Sequence, residues 1–458
     1  MTQPVLFVMM VGLFSLLSCV SIMHSYALIS VALTLRPLID LAWHWEIGNV
    51  LGQRLNPQTL VATWVLVVGA LRAIFKRRFL WKREFSLLIL IVLCSLILNA
   101  FMGDLRVQLA INDLIRIVTP LAIYSFAGVA IRDFSGFAVF ARRYLAVVMV
   151  PTSLAYLQAA GILPFQYYDW NGAERVGRAS GTYPHPLNLV SYITLTVPLV
   201  LLSYFSSKSI AQKTMHCVIL FVTLGALVLT YHRTGLIAVA VEVIVFFVLQ
   251  KRYRMAVALT VLGVIVGFVL FRQPEFSWMW ASVVSVVNGD VEIFDREFLR
   301  GRGIVWGLFL SKFISADPSR LLLGFGAPFA EGFVSGFGYF SSQEPHSDFL
   351  RILYSYGLSG LIVYIWILIA LCKSALLFKK VHGDVTRSIA DVFLAYSCAF
   401  IILSLTTEPM RYPAFSSYLF GLASVVHGCY IRRRQEVYYD EALPTGDRSW
   451  IRSRKAHG

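Results

Sequence analysis

Charged side chains are scarce in this chain. Only 14% of its 458 residues are Asp, Glu, Lys or Arg, whereas soluble domains contain roughly 25%. Hydrophobic residues make up 58% of the chain, and its mean hydropathy is +0.70. Apolar runs of membrane-spanning length recur along the sequence, which is not typical of a soluble domain. The composition therefore predicts a polytopic integral membrane protein.

Cysteine is rare as well, and its placement argues against two kinds of site. The six cysteines all lie within apolar segments or at their ends: Cys19, Cys94, Cys217, Cys372, Cys398 and Cys429. The long loops contain none, so there is neither a disulfide framework nor paired metal-ligand spacing. Gly-x-Ser-x-Gly and His-Glu-x-x-His motifs are also lacking. Acidic residues at 290–297 could hold a divalent cation but are more typical of a solvated loop. We expect no metal and no cofactor.

The net charge of +15 is concentrated in basic clusters that occupy alternate loops. These clusters lie at residues 76–83, 142–143, 208–213, 251–254, 379–380 and 432–434. Such alternation is the positive-inside pattern of membrane proteins and indicates that these loops face the cytoplasm. The charge therefore indicates a partner that is the lipid bilayer and not nucleic acid.

The apolar segments predict the topology. From residue 58 onward there are eleven segments of 16 or more largely apolar residues, each long enough to cross the hydrocarbon core. Residues 4–42 hold one further helix plus an interfacial piece, or two helices. We therefore predict an all-α polytopic membrane protein with 12 or 13 transmembrane helices over residues 1–430. Loops at about 159–186 and 273–348 lie on the outer side, and residues 431–458 form a cytoplasmic tail.

The larger outer loop contains two patterns. Apolar residues at positions 304, 305, 308, 309, 313 and 314 repeat at helical spacing, which predicts an amphipathic helix on or near the bilayer. Glycines follow at positions 324, 326, 332, 336 and 338. No strand precedes them and no Lys-Ser/Thr pair follows, so they do not match a phosphate-binding loop. We interpret this stretch as a flexible loop.

Positive charges on the predicted outer side are almost all arginine, whereas the cytoplasmic clusters mix arginine and lysine. A guanidinium grips phosphate oxygens through two hydrogen bonds and stays charged in a low-dielectric site. The asymmetry favours a phosphate-bearing ligand, although arginines that reach lipid headgroups also explain single positions. The candidate binding residues are Arg178, Arg233, Arg302 and Arg411. For Arg411 the simpler interpretation is pairing with Glu408 in the same turn.

His346 is the candidate base. Pro345-His346-Ser347-Asp348 is typical of a helix start. The helix dipole disfavours a protonated imidazole there, so we expect His346 to be neutral near pH 7 and able to accept a proton. Asp348 either opposes that shift or orients the ring through Nδ1. His185 and His232 also lie in outer loops, but the sequence gives them no helix-start context.

Charges inside the predicted spans are few and look structural. Arg36 and Asp40 are spaced (i, i+4) to pair within one helix. Asp113 and Arg116 are spaced (i, i+3) to do the same. Glu242 has no evident partner.

Several of these residues resemble one family. His346-Ser347, nine further residues and Gly357-x-x-Gly360 match the pattern His-[Asn/Ser/Gln]-x9-Gly-x-x-[Gly/Thr/Tyr] of bacterial O-antigen ligases. Related O-antigen and exopolysaccharide polymerases carry looser versions. The resemblance extends over about residues 170–430 and includes Arg178 before Gly-Thr-Tyr-Pro-His-Pro, Arg233 in its short turn, and Arg302-x-x-x-Trp306. Ligases often have Leu where Trp306 stands, which weakens the likeness to ligases relative to polymerases.

The resemblance implies an inverting, metal-independent glycosyltransferase on a scaffold like that of the C-type (GT-C) glycosyltransferases. The implied donor is a glycan on undecaprenyl diphosphate, and the implied acceptor is lipid A-core or a growing glycan. His346 would be the general base and Asp348 would orient it, while Arg178, Arg233, Arg302 and Arg411 would bind the diphosphate. The implied location is the bacterial inner membrane, with the active site facing the periplasm.

Three alternatives stay open. A polymerase of the same family would join repeat units in lipopolysaccharide or exopolysaccharide biosynthesis. A protein O-oligosaccharyltransferase would use similar residues. A polysaccharide transporter or flippase would show internal repeats and broken helices, neither of which is evident in the sequence.

Overall fold

The fold is known from a computed structural model, which describes residues 24–45, 48–50, 53–76, 80–103, 107–171, 174–271, 284–285, 288–289, 302–326, 345–381 and 384–442. Some predictions lie outside these residues. They include the first apolar segment before residue 24, the acidic residues at 290–297, and the glycines at 332, 336 and 338.

Helices make up most of the described chain. The first half contains α1 (Ser25–Ile29, continued by a π-helical turn), α2 (Arg36–Leu41), α3 (Pro57–Lys76), α4 (Arg83–Phe101), α5 (Val107–Ala130), α6 (Phe134–Ala159), α7 (Pro186–Ser206) and α8 (Ile210–Leu229). The second half contains α9 (Arg233–Leu249), α10 (Tyr253–Phe271), α11 (Arg302–Ile314), α12 (Pro318–Leu323), α13 (Asp348–Val381), α14 (Asp384–Thr406), a 3-10 turn (Pro409–Arg411) and α15 (Pro413–Ala442).

Eight of the described helices are long and apolar enough to cross a membrane. They are α4, α5, α6, α7, α8, α13, α14 and α15. Two others are apolar over shorter described stretches, Pro57–Leu71 in α3 and Tyr253–Gly263 in α10. The prediction of a helical multi-pass membrane protein is confirmed. The total of 12 or 13 spans stays a prediction.

Two short hairpins interrupt the helical pattern, and the sequence did not predict them. Strands β1 (Gly48–Val50) and β2 (Gln53–Leu55) pair antiparallel before α3. Strands β3 (Tyr167–Asn171) and β4 (Glu174–Arg178) pair antiparallel within the smaller predicted loop. The second hairpin returns the chain to the bundle, because Ala179 directly after β4 donates its N–H to the Leu229 carbonyl at 3.1 Å.

The core of the bundle is formed by α7, α14 and α15, which are the most buried of the eight long helices, whereas α8 and α4 are the most exposed. Helix α15 lies against α5 over much of its length. A Cβ atom added at Gly128 would lie 2.1 Å from the Ser424 carbonyl oxygen, and one at Gly428 would lie 2.2 Å from the Gly128 carbonyl oxygen. Small residues thus let two membrane helices approach backbone to backbone.

Charges inside the bundle follow the predictions only in part. Arg36 Nε lies 2.7 Å from Asp40 Oδ1, and both side chains are buried, so this pair is confirmed. Asp113 does not rely on Arg116: its carboxylate pairs with Arg351 and accepts the Tyr356 hydroxyl, both on α13. That prediction was wrong, because a buried carboxylate reached across to a neighbouring helix.

Glu242 is fully buried in α9, and neither of its carboxylate oxygens has a hydrogen-bond partner. This agrees with the absence of an evident partner in the sequence. Helix α15 continues to Ala442, and its apolar, membrane-spanning stretch is Ala414–Arg432. The cytoplasmic tail at 431–458 stays a prediction.

Loops from distant parts of the chain meet at one end of the bundle, which we name the His346 end. Helices α7, α9, α13 and α15 begin there, and α6, α8 and α14 end there. Asp348 N donates to the Thr407 carbonyl at 3.2 Å, which joins the start of α13 to the end of α14. The clusters at 251–254 and 379–380 lie at the other ends of α9 and α13, and Arg432 ends the apolar stretch of α15.

Candidate functional site

Five segments that carry the predicted site residues converge at the His346 end. They are the loop at 178–186, the turn at 230–234, the start of α11, the residues before α13, and the turn at 406–411. Hydrogen bonds join them into one connected region, as the next paragraphs describe.

Arg302, the first residue of α11, lies at the centre of these connections. Its Nη1 donates to the Thr406 carbonyl at 2.8 Å. The Thr406 hydroxyl in turn lies 3.0 Å from the Thr234 hydroxyl, donating to its Oγ1. One guanidinium therefore links the start of α11, the end of α14 and the start of α9.

Arg178 approaches the same region from the smaller loop. Its Nε donates to the Thr230 carbonyl at 2.8 Å, at the end of α8. Arg233 is the first residue of α9, and Arg411 is the last residue of the 3-10 turn. Both of these side chains are half-buried. The structure thus places all four predicted arginines on the converging segments.

His346 is held from two sides. Its backbone N–H donates to Glu408 Oε1 at 2.9 Å. The preceding carbonyl, of Pro345, accepts the indole N–H of Trp306 at 2.7 Å. Helix α13 begins only at Asp348, so Pro345 lies before the first turn and not within it, contrary to the prediction.

The imidazole of His346 is half-buried, and its pKa is lowered to about 4. Burial is the larger cause, because a desolvated imidazole loses its preference for the charged form. The positive charge of Arg302 is the second cause. His346 is therefore neutral at pH 7, as expected, but burial and an arginine account for it where the sequence suggested the helix dipole.

Asp348 has a different position from the one predicted. Its buried carboxylate accepts the Ser404 hydroxyl at 3.0 Å and the Met410 N–H at 3.0 and 3.2 Å. These bonds fasten the 406–411 turn to the start of α13. The role of orienting the His346 ring therefore has no support from the hydrogen bonds of Asp348. Glu408 Oε1 also holds the His346 backbone, whereas its expected pairing with Arg411 stays a prediction.

His185 and His232 do have the helix-start context that the sequence denied them. His185 is the N-cap of α7, and its Nδ1 accepts the Leu187 N–H at 3.0 Å. His232 is the N-cap of α9, and its Nδ1 accepts the Gly235 N–H at 3.0 Å. Pro186 directly after His185 was the available signal, since proline favours the first helical position.

Backbone strain concentrates at this end of the protein. Non-glycine residues with positive φ are uncommon and cluster at functional sites. In the described chain they are Thr182 (70°), Tyr231 (48°), His346 (48°) and Lys251 (58°). Three of the four lie in the converging segments.

The glycines of the His-x10-Gly-x-x-Gly motif explain how His346 is positioned. Helix α13 breaks at Gly357, where φ is 67° and ψ is −169°. The carbonyls of Tyr354 and Ser355, freed by the break, accept the N–H groups of Phe325 (2.8 Å) and Gly326 (3.0 Å). The predicted flexible glycine stretch is thus ordered at its start, where it docks into the broken helix.

The same contact explains why both partners carry glycine. A Cβ atom at Gly357 would lie 2.3 Å from the Leu322 carbonyl oxygen, and one at Gly324 would lie 2.4 Å from the Ser355 carbonyl. Ser359 also donates its hydroxyl to the Leu322 carbonyl at 2.7 Å. Side chains larger than hydrogen do not fit between these two backbones.

Helix α11 packs against this structure. Its buried residues Val305, Phe309 and Phe313 form a cluster with Phe325 and Tyr354. The rings of Phe325 and Tyr354 are stacked, with centroids 4.6 Å apart. The helical spacing was predicted correctly, and three of the six apolar residues pack against protein. The position of α11 on or near the bilayer stays a prediction.

The site contains donors of hydrogen bonds and positive charge. Within the part of the chain that the structure describes, no three His, Cys, Asp or Glu side chains are grouped to hold a metal ion. A cluster of guanidinium and imidazole groups suits an anionic ligand.

No protein-family model matches the chain, and no curated protein matches it either.

Proposed function

We propose that the protein is a membrane glycosyltransferase of the O-antigen ligase type, which moves a glycan from a polyprenyl diphosphate carrier to an acceptor hydroxyl at the His346 end. The observation that carries the proposal is the relation between His346 and Arg302. Trp306, one turn after Arg302 on α11, donates to the Pro345 carbonyl beside His346, and after burial the Arg302 guanidinium is the second cause of the lowered His346 pKa. The proposed base and a proposed phosphate-binding group therefore lie close together.

In the proposed reaction, His346 accepts the proton of the acceptor hydroxyl. The acceptor oxygen forms a bond to the anomeric carbon while the bond from that carbon to the diphosphate oxygen breaks, with inversion. The diphosphate leaves with the electron pair of the broken bond. Arg178, Arg233, Arg302 and Arg411 lie on the segments from which they can stabilise that charge.

The electrostatics of the site couple donor binding to base strength. An imidazole with a pKa of about 4 is a weak base at pH 7. A bound diphosphate would neutralise the field of Arg302 and raise the pKa of His346 toward the working pH, where general bases are most effective. Donor binding would therefore make His346 a stronger base, while the lowering of its pKa by burial remains.

The orientation of the site rests on charge. The basic clusters at 208–213, 251–254 and 379–380 lie at the ends of helices opposite His346. By the positive-inside rule this charge supports a cytoplasmic location for that end and an outer location for the His346 end. The bacterial inner membrane and its periplasm are what the resemblance to the O-antigen ligase family implies. A GT-C-like scaffold fits this arrangement of many spans with large loops on the side of the reaction.

A polymerase of the same family is the second candidate, and Trp306 favours it. Its indole N–H donates to the Pro345 carbonyl beside His346, a bond that the leucine often found in ligases cannot make. Glycan length after deletion of the gene separates the two. Unpolymerised single units indicate a polymerase, whereas long but unattached polymer indicates a ligase.

A transporter is the distant alternative. Broken membrane helices bind substrates in transporters through their exposed backbone groups, and α13 is broken at Gly357. Here, however, the freed carbonyls of Tyr354 and Ser355 already accept the N–H groups of Phe325 and Gly326. The break therefore holds the glycine stretch and offers those carbonyls to no substrate.

Transfer in vitro tests the proposal. Purified protein in nanodiscs receives a lipid-linked glycan and candidate acceptors, and glycan transfer is measured for wild type, His346→Ala and the control His427→Gln. Loss of a general base lowers the rate by about 10²–10⁴-fold. The control changes a histidine in α15 that bonds Tyr124, at the opposite end. Full activity of His346→Ala would refute the assignment.

Arg233 tests the diphosphate role. We expect Arg233→Ala to lower transfer by about 10²–10³-fold, the usual effect of removing one charge-stabilising donor. Arg233→Lys should restore little, because lysine lacks the planar fork. Arg320→Lys is the control, because Arg320 is not one of the four arginines assigned to the diphosphate. Its guanidinium lies over the Phe325 ring, 4.8 Å from the centroid. Full rescue by lysine at position 233 would show that charge alone matters.

A further inference from the structure

Two histidines at the His346 end share one hydrogen-bond geometry that the proposed reaction does not use. Nδ1 of His185 accepts the Leu187 N–H, and Nδ1 of His232 accepts the Gly235 N–H, both at 3.0 Å. A ring nitrogen that accepts a hydrogen bond carries no proton. In the neutral imidazole the proton must then be on Nε2, so each ring presents an Nε2–H donor.

The capping bonds also oppose protonation. A protonated imidazole carries a hydrogen on both nitrogens and accepts nothing. Protonation of either ring would therefore direct two N–H groups at each other and leave the first turn of α7 or α9 without its cap. Loss of an N-cap destabilises the helix that it begins, so the fold itself favours the neutral form.

The surroundings of His232 act in the same direction. Its side chain is only 7% exposed. Burial lowers its pKa well below the ordinary value, and Arg178, His185 and Arg302 lower it further. These groups, which come from the 178–186 loop and the start of α11, are all positive when charged. Such a gathering of donors is typical of a site for an anion.

We propose that His185 and His232 are neutral hydrogen-bond donors to a phosphate group of the lipid-linked donor, and that neither is a base. The identification of that phosphate as a polyprenyl diphosphate rests on the proposed function. Neutral donors solve a physical problem in this site. Further cations would repel the guanidiniums in a poorly solvated environment, whereas an imidazole N–H adds a hydrogen bond without adding charge.

Variants that retain the helix cap test the role of His232. Asn, Ser and Asp are all good N-caps, so His232→Asn, His232→Ser and His232→Asp should keep α9 intact. Binding of a polyprenyl diphospho-sugar to protein in nanodiscs is measured, together with thermal stability. Hydrogen bonds to charged groups contribute about 1.5–3 kcal/mol, so we expect His232→Ser to weaken binding by about 10–100-fold. His232→Asp should weaken it more through repulsion, and His232→Asn less. His185→Ser should repeat the effect of His232→Ser.

A merely structural role predicts another result. If His232→Ser has wild-type stability and binds the probe as tightly as wild type, the proposal is overturned. If His232→Ser unfolds, His232→Asn and His185→Ser take its place, and wild-type binding by both overturns it equally.

The pH dependence separates a neutral donor from a cation. Both phosphates of a diphospho-sugar stay ionised between pH 6 and 8, as do Arg178 and Arg302, and His346 titrates near pH 4. Neutral His185 and His232 therefore predict nearly constant affinity over this range in His346→Ala protein, which lacks the imidazole whose pKa the bound donor raises. A rise of about tenfold from pH 8 to pH 6 that disappears in His232→Asn would show a protonated histidine and overturn the proposal.

Different probes separate this inference from the glycosyltransferase proposal. Inorganic pyrophosphate, a polyprenyl diphospho-sugar and vesicles of an anionic lipid are compared. If the serine variants lose pyrophosphate and diphospho-sugar binding while no donor is ever transferred, the histidine assignment stands and the enzyme proposal fails. If transfer proceeds but those variants bind normally, only the histidine assignment fails. Binding of anionic lipid alone, or of no probe at all, overturns the assignment.

Discussion

Replacing Gly357 by alanine should misplace the start of α13 and with it His346. The added Cβ would lie 2.3 Å from the Leu322 carbonyl oxygen and 2.6 Å from the Leu323 nitrogen. Both are backbone atoms that cannot rotate away. The backbone at Gly357 (φ 67°, ψ −169°) also lies in a region that is almost exclusive to glycine. That conformation costs another residue about 1–3 kcal/mol, and overpacking costs about 1–3 kcal/mol more. The expected loss of stability is therefore about 2–6 kcal/mol.

Two other glycines separate these causes. Gly103 has φ of 74° but no atom within 4 Å of an added Cβ, so Gly103→Ala reports the backbone conformation alone. Gly263 lies in α10 with open space around it and no positive φ. Gly263→Ala should be neutral or stabilising by up to about 1 kcal/mol, because alanine favours the helix. The expected order of stability is Gly263→Ala, then Gly103→Ala, then Gly357→Ala.

Thermal unfolding in detergent, followed by tryptophan fluorescence, measures the series. At about 2 °C or more per kcal/mol, Gly357→Ala should melt at least about 4 °C below wild type. Donor binding and transfer should fall as well, since Ser355 and Tyr354 would release the glycine stretch beside the site. If Gly357→Ala melts with Gly103→Ala, the close contact between α13 and α12 does not exist and the reasoning fails.

Three further predictions concern buried charge and pH. Asp113→Ala should lower the free energy of unfolding by about 3–5 kcal/mol, because it leaves the partly buried Arg351 unpaired. Arg116→Ala should change that free energy by less than about 0.5 kcal/mol. Equal effects of the two substitutions in a melting assay would show that Arg116 is the partner of Asp113 after all. Glu242→Gln should leave the melting temperature unchanged or raise it, since neither carboxylate oxygen of Glu242 makes a hydrogen bond. A clear drop in the melting temperature would show that the carboxylate does make a stabilising hydrogen bond. The base must be neutral to react, so kcat/KM should fall only as pH falls toward about 4, which is the pKa of His346 in the free protein. The fall in kcat should occur at a higher pH, because the bound donor raises that pKa. A fall in kcat/KM already at pH 6.5 would contradict the effect of burial and Arg302.

The features that the sequence predicted correctly are those set by local pattern. Apolar segments of sufficient length must cross a membrane as helices, because only a helix satisfies its own backbone there. The spacing of Arg36 and Asp40 was enough to pair them, since four residues bring two side chains to one helix face. The helical period of Val305, Phe309 and Phe313 was likewise enough to predict α11.

What the sequence could not provide depended on contacts between distant segments. Asp113 chose Arg351, which lies 238 positions away, over the nearby Arg116. The bond from the His346 backbone to Glu408, 62 positions away, was out of reach for the same reason. The spacing of apolar residues in α11 also did not reveal that Val305, Phe309 and Phe313 pack against Tyr354 of α13.

The motif glycines show a third kind of limit. Their spacing identified the segment around His346, but not its physical role. The break in α13 is filled by the backbone of Phe325 and Gly326, so it depends on contact between two distant segments of the chain. A single sequence does not reveal which segments come into contact. The N-cap position of His185 could have been predicted, because Pro186 directly after it is typical of a first helical position. The sequence offered no such signal for His232.

The two-sided grip on His346 has a consequence for biogenesis. Trp306 and Glu408, which fix its flanking groups, are separated by 102 positions, and the helices between them enter the bilayer one after another during synthesis. A nascent chain that has not yet been extended through the turn before α15 therefore contains His346 but lacks Glu408, which binds its backbone. If the proposed function holds, ribosome-bound or truncated forms ending before residue 408 should stay inert, and an unfinished protein would not consume the proposed lipid-linked donor.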